Sequence, residues 1–171
     1  TPNKDGATPV YMAAQKGHVD AIKALCALGA DVNTATLDGA TPVLIAAQKG
    51  RVDAIKTLCA LGADVNMPNK GGISPVLVAV GNDHSSVIKV LYKLGADMGV
   101  GPHICDALEV AHRFDNPKAI ACIEKILNKM NSECECCGCC NKVHYCSINC
   151  QKKDRKKHRD ECKQTVKNSG S

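Results

Sequence analysis

The strongest constraint on the fold is an internal repeat of 33 residues. Residues 1–33 and 34–66 have nearly the same sequence, and residues 67–99 form a third, more divergent copy. A unit of this size cannot bury an apolar face alone, whereas stacked units share one continuous core. The repeat therefore predicts a solenoid of similar units, with thin layers in place of one thick globule.

The second copy shows the local structure that we expect of each unit. Asp-Gly at 38–39 predicts a tight turn, and Thr-Pro at 41–42 predicts the N-cap and first turn of a short helix over 43–49. A second helix is predicted over 52–61, and Gly62 should end it in a left-handed conformation. The residues that follow extend towards the next turn, so each unit is predicted to be a helix, a turn, a helix and an extended finger.

The composition fits such thin helical layers. The chain has no Trp, one Phe and three Tyr, so its core must consist of small aliphatic side chains. Cys26 and Cys59 occupy equivalent positions of two copies and are expected to pack there as small hydrophobes. No apolar run of about 18 residues and no signal peptide is visible. We therefore expect an intracellular protein, cytoplasmic or nuclear, that does not contact a membrane.

The repeated motif D-G-x-T-P-x-x-x-A-A-x-x-G, followed by L-x-x-x-G-A-D-V-N, resembles the ankyrin repeat. The resemblance implies a stack of helix pairs whose concave surface and finger tips bind a protein partner. The family has His where this chain has Tyr11, Leu44 and Leu77, so we expect the joints between units to depend more on apolar packing. Residues 100–130 keep two helical stretches and are interpreted as a divergent capping repeat, which completes a repeat domain over 1–130.

Residues 1–130 contain no enzyme signature. They have no glycine-rich phosphate loop, no G-x-S-x-G motif and no carboxylate pair spaced for acid/base chemistry. Positions that differ between the first two copies, within a fixed framework, are the candidates for partner binding. These are Tyr11, Met12, His18, Leu37, Leu44, Ile45 and Arg51. For each of them, neutral drift at a solvated position is the alternative.

The segment from Cys134 to Cys162 needs another source of stability. It holds eight of the 12 cysteines, together with His144 and His158, and is poor in Leu, Ile and Phe. Either disulfides or a metal could fold it, and in a reducing compartment clustered cysteines are more often metal ligands. We therefore predict that this segment binds Zn²⁺.

The sequence YCSINCQKKDRKKHRDEC resembles the MYND-type zinc finger, and the likeness covers about 30 residues. The resemblance implies two structural zinc ions, one held by Cys137, Cys140, His158 and Cys162. The other ion would be held by Cys146 and Cys150 with Cys134 and Cys136. Cys139 could substitute within the pair Cys134 and Cys136. A single zinc ion is the alternative, because no linker separates this pair from Cys137 and Cys140. The predicted fold is thus mostly α, an ankyrin-repeat helical solenoid followed by a small zinc-stabilised finger over 131–162 and a disordered tail over 163–171.

These features predict a non-enzymatic adaptor whose repeats bind one protein and whose finger binds a second protein or peptide. The MYND resemblance implies a proline-rich peptide, for which Gln151 matches the family, although Arg155 replaces the family's Trp. One alternative is the interaction region of a larger methyltransferase-type enzyme or transcription regulator. Another is nucleic-acid binding through the basic residues 152–159, against which stands the lack of interleaved aromatic side chains.

Overall fold

The computed structural model describes residues 2–98 and 107–133. These ranges contain eight α-helices and no β-strand. The helices are α1 (Pro9–Lys16), α2 (Val19–Ala27), α3 (Pro42–Gln48), α4 (Val52–Ala60), α5 (Pro75–Gly81), α6 (Ser85–Lys93), α7 (Ala107–Arg113) and α8 (Pro117–Glu133).

The first helix of each repeat begins at a hydroxyl residue followed by proline. The Thr8 Oγ1 atom accepts a hydrogen bond from the Tyr11 N–H at 3.2 Å, and Thr41 Oγ1 accepts one from the Leu44 N–H at 3.2 Å. Ser74 caps α5 in the same way. The proline that follows has no N–H group. This costs no hydrogen bond, because the first N–H groups of a helix have no acceptor within it. The N-cap predicted at 41–42 is confirmed.

The second helix of each repeat ends at a left-handed residue. Gly62 follows α4 with φ of 94°, as predicted, and its N–H donates to Cys59 O at 3.1 Å. The turn between the two helices also needs a positive φ, which Gly50 supplies with 70° and Asp83 with 54°. The predicted helices over 43–49 and 52–61 lie within one residue of α3 and α4.

The helices stack in two rows. In the inner row α1 packs on α3, α3 on α5 and α5 on α7, while in the outer row α2 packs on α4, α4 on α6 and α6 on α8. One core runs through the stack, and its largest fully buried side chains include Ile22, Ile55, Ile88 and Ile123. Ala46 and Ala47, a pair of small side chains in α3, are fully buried.

Hydrogen bonds join neighbouring repeats at both edges. At the finger tips the Leu37 N–H donates to Asp5 O at 2.9 Å, and the Lys70 N–H donates to Asp38 O at 3.0 Å. At the outer edge the Asp64 N–H donates to Asn33 Oδ1 at 2.9 Å. The joints therefore combine buried apolar contact with hydrogen bonds from groups other than the missing family histidine.

The helices α7 and α8 form a fourth layer that is tied to the third repeat. The Asn116 side chain donates to Val80 O at 2.7 Å, and Asp83 Oδ1 accepts from the Ala119 N–H at 2.9 Å. Helix α8 continues to Glu133, three residues beyond the predicted end of the repeats at 130. The division into repeats, finger and tail stays a prediction, because residues 99–106 and 134–171 lie outside the described residues.

Candidate functional site

A cleft opens between the first two fingers and α1. Side chains from both repeats line it, with a polar rim around an apolar centre. The lining residues are Asn3, Asp5, Ala7, Tyr11, Met12, Gln15, Thr36, Leu37 and Asp38. Because two adjacent repeats supply these residues, the stacking of repeat one on repeat two sets the shape of the cleft.

The apolar part of the cleft is exposed to solvent. The Leu37 side chain is 66% exposed and that of Met12 is 42% exposed, while Tyr11 beside them is half-buried. Their positions are fixed locally: the hydrogen bond from the Leu37 N–H to Asp5 O holds the second finger, and the Thr8 cap holds the first turn of α1. The stack thus presents apolar surface that its own core does not use.

The carboxylate of Asp38 gives the cleft a fixed negative charge. The Thr36 hydroxyl donates to Asp38 Oδ1, and this hydrogen bond is the main reason that the Asp38 pKa is lowered, with backbone N–H groups and Lys70 contributing less. The pKa of Tyr11 is raised, first by burial and then by the Asp38 charge. At neutral pH the cleft therefore offers an ionised Asp38 and a Tyr11 hydroxyl that can donate.

The structure brings together Tyr11, Met12 and Leu37 from the predicted partner-binding residues. His18 and Arg51 lie beyond the C-terminal ends of α1 and α3, away from the finger tips, and both are exposed. Gln151 lies outside the described residues.

Leu44 and Ile45, also predicted to bind a partner, are 5% and 4% exposed. A partner can therefore reach little of either side chain, because the flanking repeats enclose α3 on both sides. Leu44 and Ile45 contribute to the core. The equivalent residues of repeat one, Tyr11 and Met12, lie at the end of the stack, so the position of each repeat explains why the residue types differ.

Sequence reasoning missed the acidic rim formed by Asp5 and Asp38, since the Asp-Gly pair at 38–39 was assigned only to a turn. A signal was present: the third copy has Gly71 at this position, so the acid is confined to the first two repeats. Leu37 carries a related signal, because Lys4 and Lys70 occupy the equivalent positions of the other two copies.

The described residues offer no metal site. Within residues 2–98 and 107–133 no group of three or more His, Cys, Asp or Glu residues could hold an ion, and the predicted zinc ligands lie outside these ranges. Burial raises the pKa of Cys26 and raises that of Cys59 to about 11, so both thiols are protonated at neutral pH. Such thiols are poor ligands and poor nucleophiles, which fits the packing role expected of them.

Comparison with known proteins agrees with the repeat seen in the sequence. A family model described as ankyrin repeats matches in three copies, over residues 1–69 and 29–102, which together span more than half of the 171 residues. No curated protein matches the chain. In the described part of the chain, no helix has both the length and the apolar character needed to cross a membrane.

Proposed function

The chain belongs to the ankyrin-repeat family, and from this premise we propose that it is a non-enzymatic adaptor whose first two repeats bind a protein segment in the cleft. Ankyrin repeats are protein–protein interaction modules. The observation that carries the proposal is Leu37, an exposed leucine at a finger tip where the other two copies have lysine. Leu37 lines the same cleft as the exposed Met12, and exposed apolar side chains that lie together are typical of a surface that binds a partner.

The chemistry of the cleft favours a segment with an apolar side chain beside a basic one. The apolar side chain would cover Leu37 and Met12, and the basic one would face Asp5 and Asp38. Among the described residues no lysine or arginine lines the cleft. The charge of Lys70 contributes only the smallest of the effects that lower the Asp38 pKa. Tyr11 would donate its hydroxyl to a carbonyl of the segment.

The apolar contact should dominate the affinity. Full burial of a Leu or Met side chain contributes about 1.5–3 kcal/mol, whereas an exposed ion pair contributes about 0–1 kcal/mol. Micromolar binding needs about 8 kcal/mol, more than the cleft supplies. We therefore infer that the partner continues along the concave surface beyond the first two fingers.

Selection of peptides with the full chain tests this proposal. Random peptides displayed on phage would be selected on the natural chain, and the enriched peptides compared for binding to Leu37→Lys. We expect a loss of about tenfold or more, since a lysine removes the apolar contact and repels the basic residue. Folding should be unaffected, because Lys4 and Lys70 already occupy the equivalent positions.

A matched control is Leu94→Lys. Leu94 is 38% exposed and follows α6 in the outer row, away from the cleft, so this substitution should leave peptide binding unchanged. Equal binding of the selected peptides to the natural chain and to Leu37→Lys would remove the basis for this site.

We also propose that the cysteine-rich segment binds structural zinc and forms the second interaction module. The proposed ligands are Cys134, Cys136, Cys137, Cys140, Cys146, Cys150, His158 and Cys162. Cysteine thiolates and imidazoles are the ligands that structural Zn²⁺ prefers in proteins. Helix α8 reaches Glu133, the residue before the first of them.

Elemental analysis of the purified chain tests the zinc proposal. We expect two zinc ions per chain for the paired sites and one for a shortened cluster. A chelator should then make the segment after residue 133 sensitive to protease while the repeats stay resistant, because metal binding and folding are coupled in such segments. A metal-free chain whose protease pattern is unaffected by the chelator would overturn the proposal.

A further inference from the structure

The end of the stack formed by repeat one carries apolar side chains whose equivalents in the internal repeats are buried or less exposed. We define this N-terminal face by Pro9, Ala21, Leu25 and Leu28. Pro9 and Ala21 are exposed, Leu25 is half-buried and Leu28 is 86% exposed. Nothing in the described residues covers this face.

The equivalent side chains of repeat two are covered by repeat one. Ala54 is 2% exposed and Leu58 is fully buried, although α4 has the same sequence as α2 except for Thr57 in place of Ala24. Leu61, the equivalent of Leu28, lies beside residues of α2 and is 42% exposed. Repeat three shows the same pattern, since Val87 and Leu91 are buried.

One polar side chain of repeat one also lacks the partner that its equivalents in the other two repeats have. The Arg51 Nε donates to Gln15 O at 3.3 Å, and His84 Nε2 lies 3.1 Å from Gln48 O. In both cases the carbonyl belongs to the last turn of the preceding inner helix. The equivalent residue of repeat one, His18, is exposed and makes no such bond to a described residue.

A backbone N–H group of the first finger also lacks the acceptor that its equivalents have. The Leu37 and Lys70 N–H groups donate to the carbonyls of Asp5 and Asp38 in the preceding finger. The equivalent donor of repeat one is the Lys4 N–H, which has no such acceptor among the described residues. The exposed apolar side chains, the His18 side chain and the Lys4 N–H would thus all find partners in a preceding repeat.

We propose that the N-terminal face binds a further ankyrin repeat of the same stack, docked as repeat one docks on repeat two. Its inner helix would present a terminal carbonyl to His18, its finger would present one to the Lys4 N–H, and its outer helix would cover Ala21, Leu25 and Leu28. A terminal repeat needs a polar outer face, and the sequence of α2 is that of an internal repeat. This surface is distinct from the cleft, so the two can be tested separately.

The test appends one extra copy of residues 34–66 directly before residue 1 of the full chain. We expect the melting temperature to rise by roughly 5 °C or more, because each new interface adds to the stability of a repeat stack. The Lys4 amide has no backbone acceptor among the described residues and should exchange rapidly in the unextended chain, whereas in the extended chain it should become protected in hydrogen–deuterium exchange.

The substitution Ala21→Arg provides the matched control. In the unextended chain Ala21 is exposed, so the substitution should change the melting temperature little. In the extended chain it should abolish both the gain in stability and the protection of the Lys4 amide.

Three outcomes would overturn the proposal. One is an extended chain with no gain and an unprotected Lys4 amide, and another is an equal effect of Ala21→Arg on both chains. The third is an unextended chain that forms a dimer in light scattering and becomes monomeric with Ala21→Arg, because a second copy would then cover the face.

Discussion

Asp83 should hold the fourth layer onto the third repeat. Its side chain accepts a hydrogen bond from the Ala119 N–H at 2.9 Å, and Ala119 is the third residue of α8, where a helix N–H has no acceptor within the helix. Asn116 occupies the N-cap position of α8, but its side chain donates to Val80 O. Asp83 therefore caps α8 from the neighbouring repeat.

Three substitutions at this position separate the cap from the backbone strain. Asp83 has φ of 54°, and its equivalents in the first two repeats, Gly17 and Gly50, are glycines. Asp83→Ala removes the cap, which contributes about 0.5–2 kcal/mol, and places Ala in a left-handed conformation that costs about 1–2 kcal/mol. We expect a total loss of about 1–3 kcal/mol, since Asp already bears part of that strain. In a chain of this size this loss lowers the melting temperature by roughly 3–9 °C.

The two other substitutions are matched controls. Asp83→Gly loses the cap but relieves the strain, so its stability should change by about 1 kcal/mol or less. Asp83→Asn keeps an oxygen acceptor and tolerates the left-handed conformation, and should stay close to the natural chain. The expected order of stability is thus Asn above Gly above Ala.

The assay is hydrogen–deuterium exchange at the Ala119 amide, read together with thermal unfolding. The Ala119 amide should lose protection in Asp83→Ala and Asp83→Gly and keep it in Asp83→Asn. Unchanged protection in Asp83→Ala, or equal stability of the Ala and Asn variants, would refute the assignment of Asp83 as the cap of α8.

Three further predictions concern the fingers and the Cys59 thiol. In denaturant unfolding, Gly39→Ala should lower the free energy of unfolding by about 2 kcal/mol more than Gly62→Ala. Both residues have positive φ, but only a Cβ on Gly39 would lie 2.8 Å from Lys70 N. Equal losses of stability would show that neighbouring fingers can move apart freely. Alkylation of Cys59, followed by peptide mass spectrometry, should quicken about tenfold per pH unit between pH 7 and about 10, because its thiol pKa is about 11. The raised pKa should also make folding stability fall as pH increases from about 9 towards 11, since the unfolded thiol ionises first; rapid alkylation at pH 7 would contradict the burial of this thiol.

Much of the fold follows from local sequence signals. The Thr-Pro pair at 41–42 and Gly62 act through their own backbone and nearest turns, so they place helix ends whatever the surroundings. The bond between Asp83 and Ala119 could not be found in this way, because it joins residues 36 positions apart in different repeats. Asp83 stands where the first two repeats have glycine, and the structure gives its carboxylate a partner in the next layer.

Differences between repeat copies identify function only where the copies share an environment. Tyr11 and Leu44 occupy equivalent positions, but one repeat lies at an end of the stack and the other is enclosed, so packing alone can account for their difference. Leu37, Lys4 and Lys70 are all exposed at finger tips. Packing offers no reason to exchange lysine for leucine there, and hydration disfavours it. The proposed cleft therefore depends most on Leu37, and its substitution is the most direct test of the cleft.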